Sequence, residues 1–380
     1  MHFSPDKPFN DLPDLPPRAE LETAAVLKAT TRASRALAEL KGRTHNIPNP
    51  TILLNTLALQ EAKLSSEIEN IFTTNDELFR GLAATGDGAD LSPHAKEVLH
   101  YRDALWHGIN MLRERSFVST NLAIEIVNII KENRAGIRNL PGTKLHNPQT
   151  SEVIYTPPEG EGLLRRKMAN LESFCNDSAS DLDPLVRTAV AHYQFEAIHP
   201  FFDGNGRTGR ILIILQLVMS GLLELPILFL SRFIIENKTQ YYRSLRAVTE
   251  RGQWESWLLY MLEAIENTAH GTTHKINAIR DLLAQTIEKA KRALPKPVFS
   301  KELIELIFEQ PYCKIRFVED AGIAKRLTAT KYVRALEKAG LVVPVKRGTE
   351  LIFINHHLWR LLTEEPLPKS GPKAHHSRPV

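Results

Sequence analysis

The sequence has 380 residues, 43% hydrophobic and 24% charged, with a formal net charge of +4, which allows roughly two or three domains of ~100–200 residues and excludes wholesale disorder. So small a net charge permits a local basic surface without arguing for nucleic acid. Two cysteines far apart, Cys175 and Cys313, make neither a disulfide framework nor a zinc cluster.

Met1 to Pro8 has no apolar signal core, and the strongly apolar run Ile211 to Leu223 is shorter than the about 20 residues a membrane span needs. That run is expected to be a buried core helix, and the protein a cytoplasmic one with no membrane partner. Proline and glycine divide the chain into four parts. Residues 1–90 open on Pro13-Asp14-Leu15-Pro16-Pro17 and become helical from Ala24 to Leu40, up to Gly42. A second helix is expected from Ile52 to about Asn70, with Leu53, Leu57, Leu64 and Ile68 on one side, and Ala84 to Gly88 form a loop. Residues 91–290 are helical by period except for Gly142 to Pro158. There Asn147-Pro148-Gln149-Thr150 predicts a turn and Val153-Ile154-Tyr155-Thr156 a strand of a hairpin. Lys291 to Pro297 has the composition of a linker. Over 298–362, helical runs near 300–309 and 330–339 precede Leu341 to Val345, a turn at Lys346 to Thr349, and Leu351 to Ile354. Helices followed by a small hairpin indicate a winged-helix module. Residues 364–380 have the composition of a disordered tail.

The chemistry concentrates in His199-Pro200-Phe201-Phe202-Asp203-Gly204-Asn205-Gly206-Arg207-Thr208-Gly209-Arg210, between helical runs at Leu185 to Ala197 and Thr208 to Met219. Gly204, Asn205 and Gly206 tolerate positive φ, so the backbone can turn tightly and aim several N–H groups inward. Such a turn opening a helix binds anions, helped by the helix dipole. Arg207 and Arg210, three apart on the following helix, match the several charges of a polyphosphate. Asp203 is a hard oxygen ligand suited to Mg²⁺ on phosphates, and His199 is a base that works near neutral pH. Together these residues describe a phosphoryl or nucleotidyl transfer site.

The segment matches, without departure, the signature His-x-Phe-x-Asp/Glu-Gly-Asn-Gly-Arg-x-x-Arg, and the chain therefore resembles the Fic domain family. The resemblance implies a mainly α fold: a Fic-type helical core with a β-hairpin flap, an N-terminal helical region and a C-terminal winged-helix domain. It implies transfer of AMP from Mg-ATP to a Tyr, Ser or Thr hydroxyl of a target protein. In that role His199 deprotonates the hydroxyl, Asp203 holds Mg²⁺, and Gly204, Asn205, Gly206, Arg207, Thr208 and Gly209 form the nucleotide-binding turn. Arg210 holds the γ-phosphate and Phe201 anchors the core. The hairpin ending at Val153, Ile154 and Tyr155 resembles the flap that clamps a target peptide by strand addition. Tyr241-Tyr242 resembles the region bordering the adenine, although Thr249 stands where AMP-transferring members often have Asn.

Upstream, Ser65-x-x-x-Glu69-Asn70 resembles the inhibitory motif Ser/Thr-x-x-x-Glu-Gly/Asn of the same family. The resemblance implies that Glu69 pairs with Arg210 and displaces the γ-phosphate contact, leaving ATP unreactive. In the C-terminal module, Lys325, Arg326, Lys331, Arg334 and Lys338, with Lys346 and Arg347, suit either a DNA backbone or a face for dimer contacts or substrate docking. The expected protein is thus a self-inhibited adenylyltransferase that uses ATP and Mg²⁺, modifies target proteins and itself, and could pair as a homodimer. Two other readings stay open: a DNA-binding regulator with a nucleotide-sensing core, and an enzyme that transfers another group or removes AMP.

Overall fold

The computed structural model describes residues 3–44, 49–83, 91–146, 150–309, 311–347 and 350–364. The expected loop at Ala84 to Gly88, the turn residues Asn147-Pro148-Gln149 and Gly348-Thr349, and the expected tail from residue 365 lie outside them.

The chain is mainly α, as the sequence predicts. A non-helical segment leads into α1 (Ala24–Thr44), α2 (Pro50–Ile68), α3 (Asn75–Ala83), α4 (Pro93–Arg115) and α5 (Thr120–Lys131). An antiparallel pair, β1 (Leu145–His146) and β2 (Val153–Tyr155), precedes α6 (Glu161–Cys175), α7 (Pro184–Ile198) and α8 (Asn205–Met219). Then come α9 (Ser231–Glu236), α10 (Lys238–Arg251) and the long α11 (Trp254–Ala293). The chain continues through α12 (Lys301–Glu309), β3 (Tyr312–Cys313), α13 (Ile315–Asp320), α14 (Arg326–Lys338), β4 (Val343–Arg347), β5 (Glu350–Ile354) and α15 (His356–Thr363).

Four boundaries differ from the sequence expectation. Strand β4 starts at Val343 rather than Leu341 and takes in Lys346 and Arg347, which pair with Leu351 and Glu350 instead of turning. Helix α1 runs through Gly42, where a helix tolerates glycine at a modest entropic cost. Helix α11 absorbs Lys291 to Ala293, so the helix-free connection starts later than composition predicts. Strand β2 stops before Thr156, whose hydroxyl instead donates to the Pro5 carbonyl at 2.6 Å.

The chain forms two compact units, each assembled from separated stretches. The first takes Met1–Gly42, Glu61–Phe72 and Glu97–Thr272; the second takes Arg43–Gln60, Thr73–Lys96 and Thr273–Val380. The N-terminal 90 residues therefore contribute to both units. In the first unit α7 packs along both α6 and α8, and α5 lies against α8 and α6. Helix α7 is buried on nearly every side, Thr188, His192 and Gln194 included, as suits a central helix. It starts sharply because Asp183 caps it, accepting from the Leu185 amide at 2.8 Å, with proline in its first turn. Trp257 seals this core, donating its indole N–H to the Ala189 carbonyl at 2.8 Å.

In the second unit the three strands form an antiparallel sheet in the order β3-β5-β4, with Val343 opposite Ile354 and Arg347 opposite Glu350. Helices α12, α13 and α14 pack successively, and the elements follow the order helix–strand–helix–helix–strand–strand, with helices ahead of a small hairpin as the sequence predicts. Trp359 stacks on Tyr312 with centroids 5.5 Å apart, and Phe79 packs on both rings. Among the described residues, no helix is long and apolar enough to cross a membrane.

Candidate active site

The connection between α7 and α8 is held in an unusual backbone path. His199 caps α7 in the left-handed region at φ 49°, ψ 59°, and Gly204 starts α8 at φ 84°. Two left-handed residues five apart fold the chain back on itself, at little strain where glycine stands. Asn205 staples the loop: its side-chain amide donates to the Phe201 carbonyl at 2.8 Å and its oxygen accepts from the Phe201 amide at 2.9 Å. Phe201 is buried against Phe195, as a core anchor should be. The Asn205 side chain thus serves the loop, while the turn itself opens α8. The His199 carbonyl accepts from Arg138 Nε at 2.8 Å, and the Arg138 amide donates to the Pro200 carbonyl at 2.9 Å. Burial, then the Arg138 charge, push the His199 imidazole down to about 4, so it is neutral at physiological pH with Nδ1 buried.

Arg210, on the first turns of α8, is buried and faces α2. Its Nε donates to Ser65 Oγ and its Nη2 to the Ser65 carbonyl, both at 2.8 Å, and Nη2 also meets Glu69 Oε1 at 2.8 Å. Glu69 stands one residue past the end of α2. Asn70 adopts φ 61°, and the Ile71 amide returns to the Ser66 carbonyl at 3.0 Å. Such a left-handed helix end favours glycine or asparagine, which explains that choice at this position of the motif. Gly206 makes room for the carboxylate: a Cβ there would collide with Glu69 and lie 2.9 Å from Arg210 Nη1. Burial disfavours the Arg210 charge, yet Glu69 beside it holds the group well above its ordinary pKa.

Asp203 and Arg207 sit in a second ionic cluster. Arg207 is buried and donates from Nη1 to Glu97 at 2.6 Å, with Nη2 3.5 Å from Asp203. Lys131 Nζ lies 2.6 Å from both Glu97 and Asp203. Burial alone would raise the Asp203 carboxyl, but Lys131 and Arg207 hold it below the usual range. Among the described residues no three His, Cys, Asp or Glu side chains are placed to cage a metal. Asp203, with its side chain 62% exposed, fits the other way of holding Mg²⁺, by one carboxylate shared with substrate phosphates. Thr208 and Gly209 are buried in α8, and a Cβ at Gly209 would meet Glu196.

Two more carboxyls lie buried nearby. Glu61, two turns before Glu69 on α2, is raised by burial to about 7 and bonded by Ser231 and Tyr101. Burial likewise raises Glu196 to about 8. Tyr241 is buried and its hydroxyl pairs with His192 Nε2 at 2.9 Å, whereas Tyr242 is 43% exposed; the two rings meet edge to face. Thr249 pairs with the Tyr193 hydroxyl at 3.0 Å.

The hairpin strand β2 is tied to the site through Tyr155, whose hydroxyl donates to the Ala197 carbonyl at 2.7 Å, two residues before His199. Val153 and Ile154 are half-buried. The N-terminal segment straps this strand: the Phe9 amide donates to the Thr156 carbonyl at 3.0 Å, and the Phe3 and Phe9 rings flank Tyr155. Sequence reading missed the strap, along with Glu97, Lys131, Arg138 and Glu61. Only Glu61 had a signal, an acid at i−4 and i−8 from Ser65 and Glu69 on one helix face.

Comparison with known proteins bears on this arrangement. Residues 27–110 match the Fic/DOC family N-terminal model, residues 117–217 the Fic/DOC family model, and residues 282–358 the C-terminal domain of SoFic-like protein adenylyltransferases. Residues 27–110 and 117–217 thus carry the sequence of the Fic/DOC family's N-terminal and central domains. The chain is 32% identical to protein adenylyltransferase fic-1 of Caenorhabditis briggsae over 147 residues, 38% of this chain and 27% of that one. It is also 32% identical to protein adenylyltransferase Fic of Drosophila willistoni over 177 residues, 46% of this chain and 34% of that one. The matches thus span about a third or less of these relatives. In fold, a Fic family protein from Desulfovibrio desulfuricans matches with a TM-score of 0.55 at 17% identity, over 88% of this chain and 96% of that one. Fic-1 (residues 134–508) from Caenorhabditis elegans gives 0.50 at 21%, over 66% and 74%.

Proposed function

We propose that the protein is a self-inhibited adenylyltransferase that moves AMP from Mg-ATP onto a hydroxyl side chain of a target protein. The observation that carries this reading is Arg210, a buried guanidinium in the second turn of α8 behind the glycine turn, held by Ser65 of α2 and by Glu69 just past that helix's end. The curated relatives are named protein adenylyltransferases, which favours AMP as the group transferred. Gly204, Gly206 and the dipole of α8 receive the phosphates, with Arg207 beside them. Mg²⁺ on Asp203 would neutralise phosphate charge when the nucleotide is bound. The target hydroxyl is held by the edge of Val153, Ile154 and Tyr155 and gives its proton to His199, whose buried Nδ1 leaves Nε2 as the acceptor. The hydroxyl oxygen then bonds to the α-phosphorus as the bond to pyrophosphate breaks. Tyr242 is the exposed ring available to the adenine. In the inhibited state Glu69 takes the Arg210 contact that the γ-phosphate needs.

Parallel incubations with ATP labelled at the α- or the γ-phosphate test the group transferred. AMP transfer labels protein from α-labelled ATP only. Label from the γ-position alone would make the chain a kinase instead.

A further inference from the structure

The cluster around Asp203 contains a residue that the functional reading does not use. Lys131 ends α5, and its aliphatic stem lies over Gly204, 3.6 and 3.7 Å from where a Cβ would stand. Its ammonium therefore emerges at the mouth of the turn, where it meets Asp203 Oδ2 and Glu97 Oε1, each at 2.6 Å. Glu97 Oε1 also accepts from Arg207 Nη1 at 2.6 Å, and Arg207 Nη2 lies 3.5 Å from Asp203 Oδ1. Two acids and two bases thus close a ring with no net charge.

Resting on the reading of Asp203 as the residue that shares Mg²⁺ with the nucleotide, we propose that Lys131 is a positioning residue that competes with the metal for Asp203. It thereby sets the Mg²⁺ concentration at which nucleotide loads. Asp203 Oδ2 is held by a cation at hydrogen-bond distance. A divalent ion binding the same oxygen at about 2.0–2.1 Å would face that ammonium across a few ångströms. The two positive charges repel, so metal entry requires the ammonium to leave Asp203. Glu97 gives it a place to go: Lys131 can keep that partner at no cost in buried charge. Glu97 also keeps Arg207 aimed at the turn throughout. The Lys131 side chain is 22% exposed and that of Asp203 62% exposed, so the contest takes place in partly solvated surroundings and has a modest amplitude.

The test is ATP affinity of the full chain across a Mg²⁺ titration, by calorimetry, for wild type, Lys131→Met and Lys131→Arg. Methionine keeps the stem over Gly204 and removes the charge; arginine keeps the charge. Lys131→Met should lower the Mg²⁺ midpoint by roughly fivefold, the equivalent of ~1 kcal/mol for one partly exposed pair. Lys131→Arg should stay near wild type. A Lys131→Met midpoint equal to wild type, or one matched by Lys131→Arg, overturns the competition while leaving the nucleotide site in place. Absence of ATP binding in all three proteins at every Mg²⁺ concentration overturns the functional reading, and this proposal with it.

Discussion

Glu69 Oε1 and Arg210 Nη2 meet at 2.8 Å across the gap left by Gly206, the guanidinium side chain 2% exposed and the carboxylate 34%. A buried guanidinium without an anion is strongly unfavourable, so something negative must sit against Arg210 in every stable state. Ser65 supplies only neutral oxygens, from its hydroxyl and its carbonyl. The choice therefore lies between Glu69 and an incoming anion. Under the proposed function that anion is a polyphosphate at the turn opening α8, and its competition with Glu69 would be local and electrostatic.

His199 should be needed for transfer and dispensable for binding. His199→Ala leaves the Asn205 staple and the glycine turn intact, so ATP affinity should stay within several-fold while the rate falls by ~10²–10⁴. Because burial holds the imidazole near 4, wild-type activity should not titrate with this group between pH 5 and 8, where it is neutral throughout. Rates measured from pH 4 to 8 check this; a His199-dependent inflection near 6.5 would place the ring in water.

Buried Glu61 gives the fold a pH dependence of definite sign. Its carboxyl titrates near 7 in the folded chain against an ordinary 4.5. The folded state thus holds this proton more tightly than the unfolded state. Its stabilising contribution is full below about 4.5 and is lost as pH rises through 7, amounting to up to about 3 kcal/mol. Glu196 acts in the same direction, up to about 8. Wild type should lose Tm between pH 5 and 8, and Glu61→Gln should reduce that drop. Equal drops in the two proteins would mean that Glu61 is already ionised when folded.

Strand β2 should loosen when its tie to α7 is cut. Tyr155→Phe keeps the ring between Phe3 and Phe9 but removes the donor to the Ala197 carbonyl, at a cost of about 1 kcal/mol. Hydrogen exchange at residues 153–155 should quicken roughly fivefold with little change in the helices of the first unit. Unchanged exchange would show that the strap alone holds the strand.

The candidate site was legible in sequence to the extent that it is local. His199 to Arg210 is one continuous turn, and glycine, asparagine and arginine at fixed offsets carry its physics directly. Ser65, Glu69 and Asn70 became readable through a family motif, and the positive φ of Asn70 supplies its physical reason. Glu97 and Lys131 were not readable: Glu97 reaches Arg207 from 110 residues away, and an acid or a lysine on a helix surface has no local mark of its partner. Tyr241 was legible as an aromatic but not as a core residue, because its hydroxyl is satisfied by His192 on another helix. The helical class and the C-terminal hairpin followed from periodicity and turn residues. The interleaving of the two units did not, since it depends on which helices meet rather than on where the chain breaks.

The central claim is that Glu69 restrains a transfer that His199 carries out. The direct measurement is the intact mass of wild type, Glu69→Gly, Glu69→Gly with His199→Ala, and Glu69→Gly with Arg210→Ala after incubation with Mg-ATP. Glu69→Gly should gain AMP well faster than wild type. The gain should vanish without His199 and also without Arg210, because Glu69 and Arg210 act through one contact. Self-modification by Glu69→Gly no faster than wild type, with His199-dependent activity measurable in both, would contradict the account.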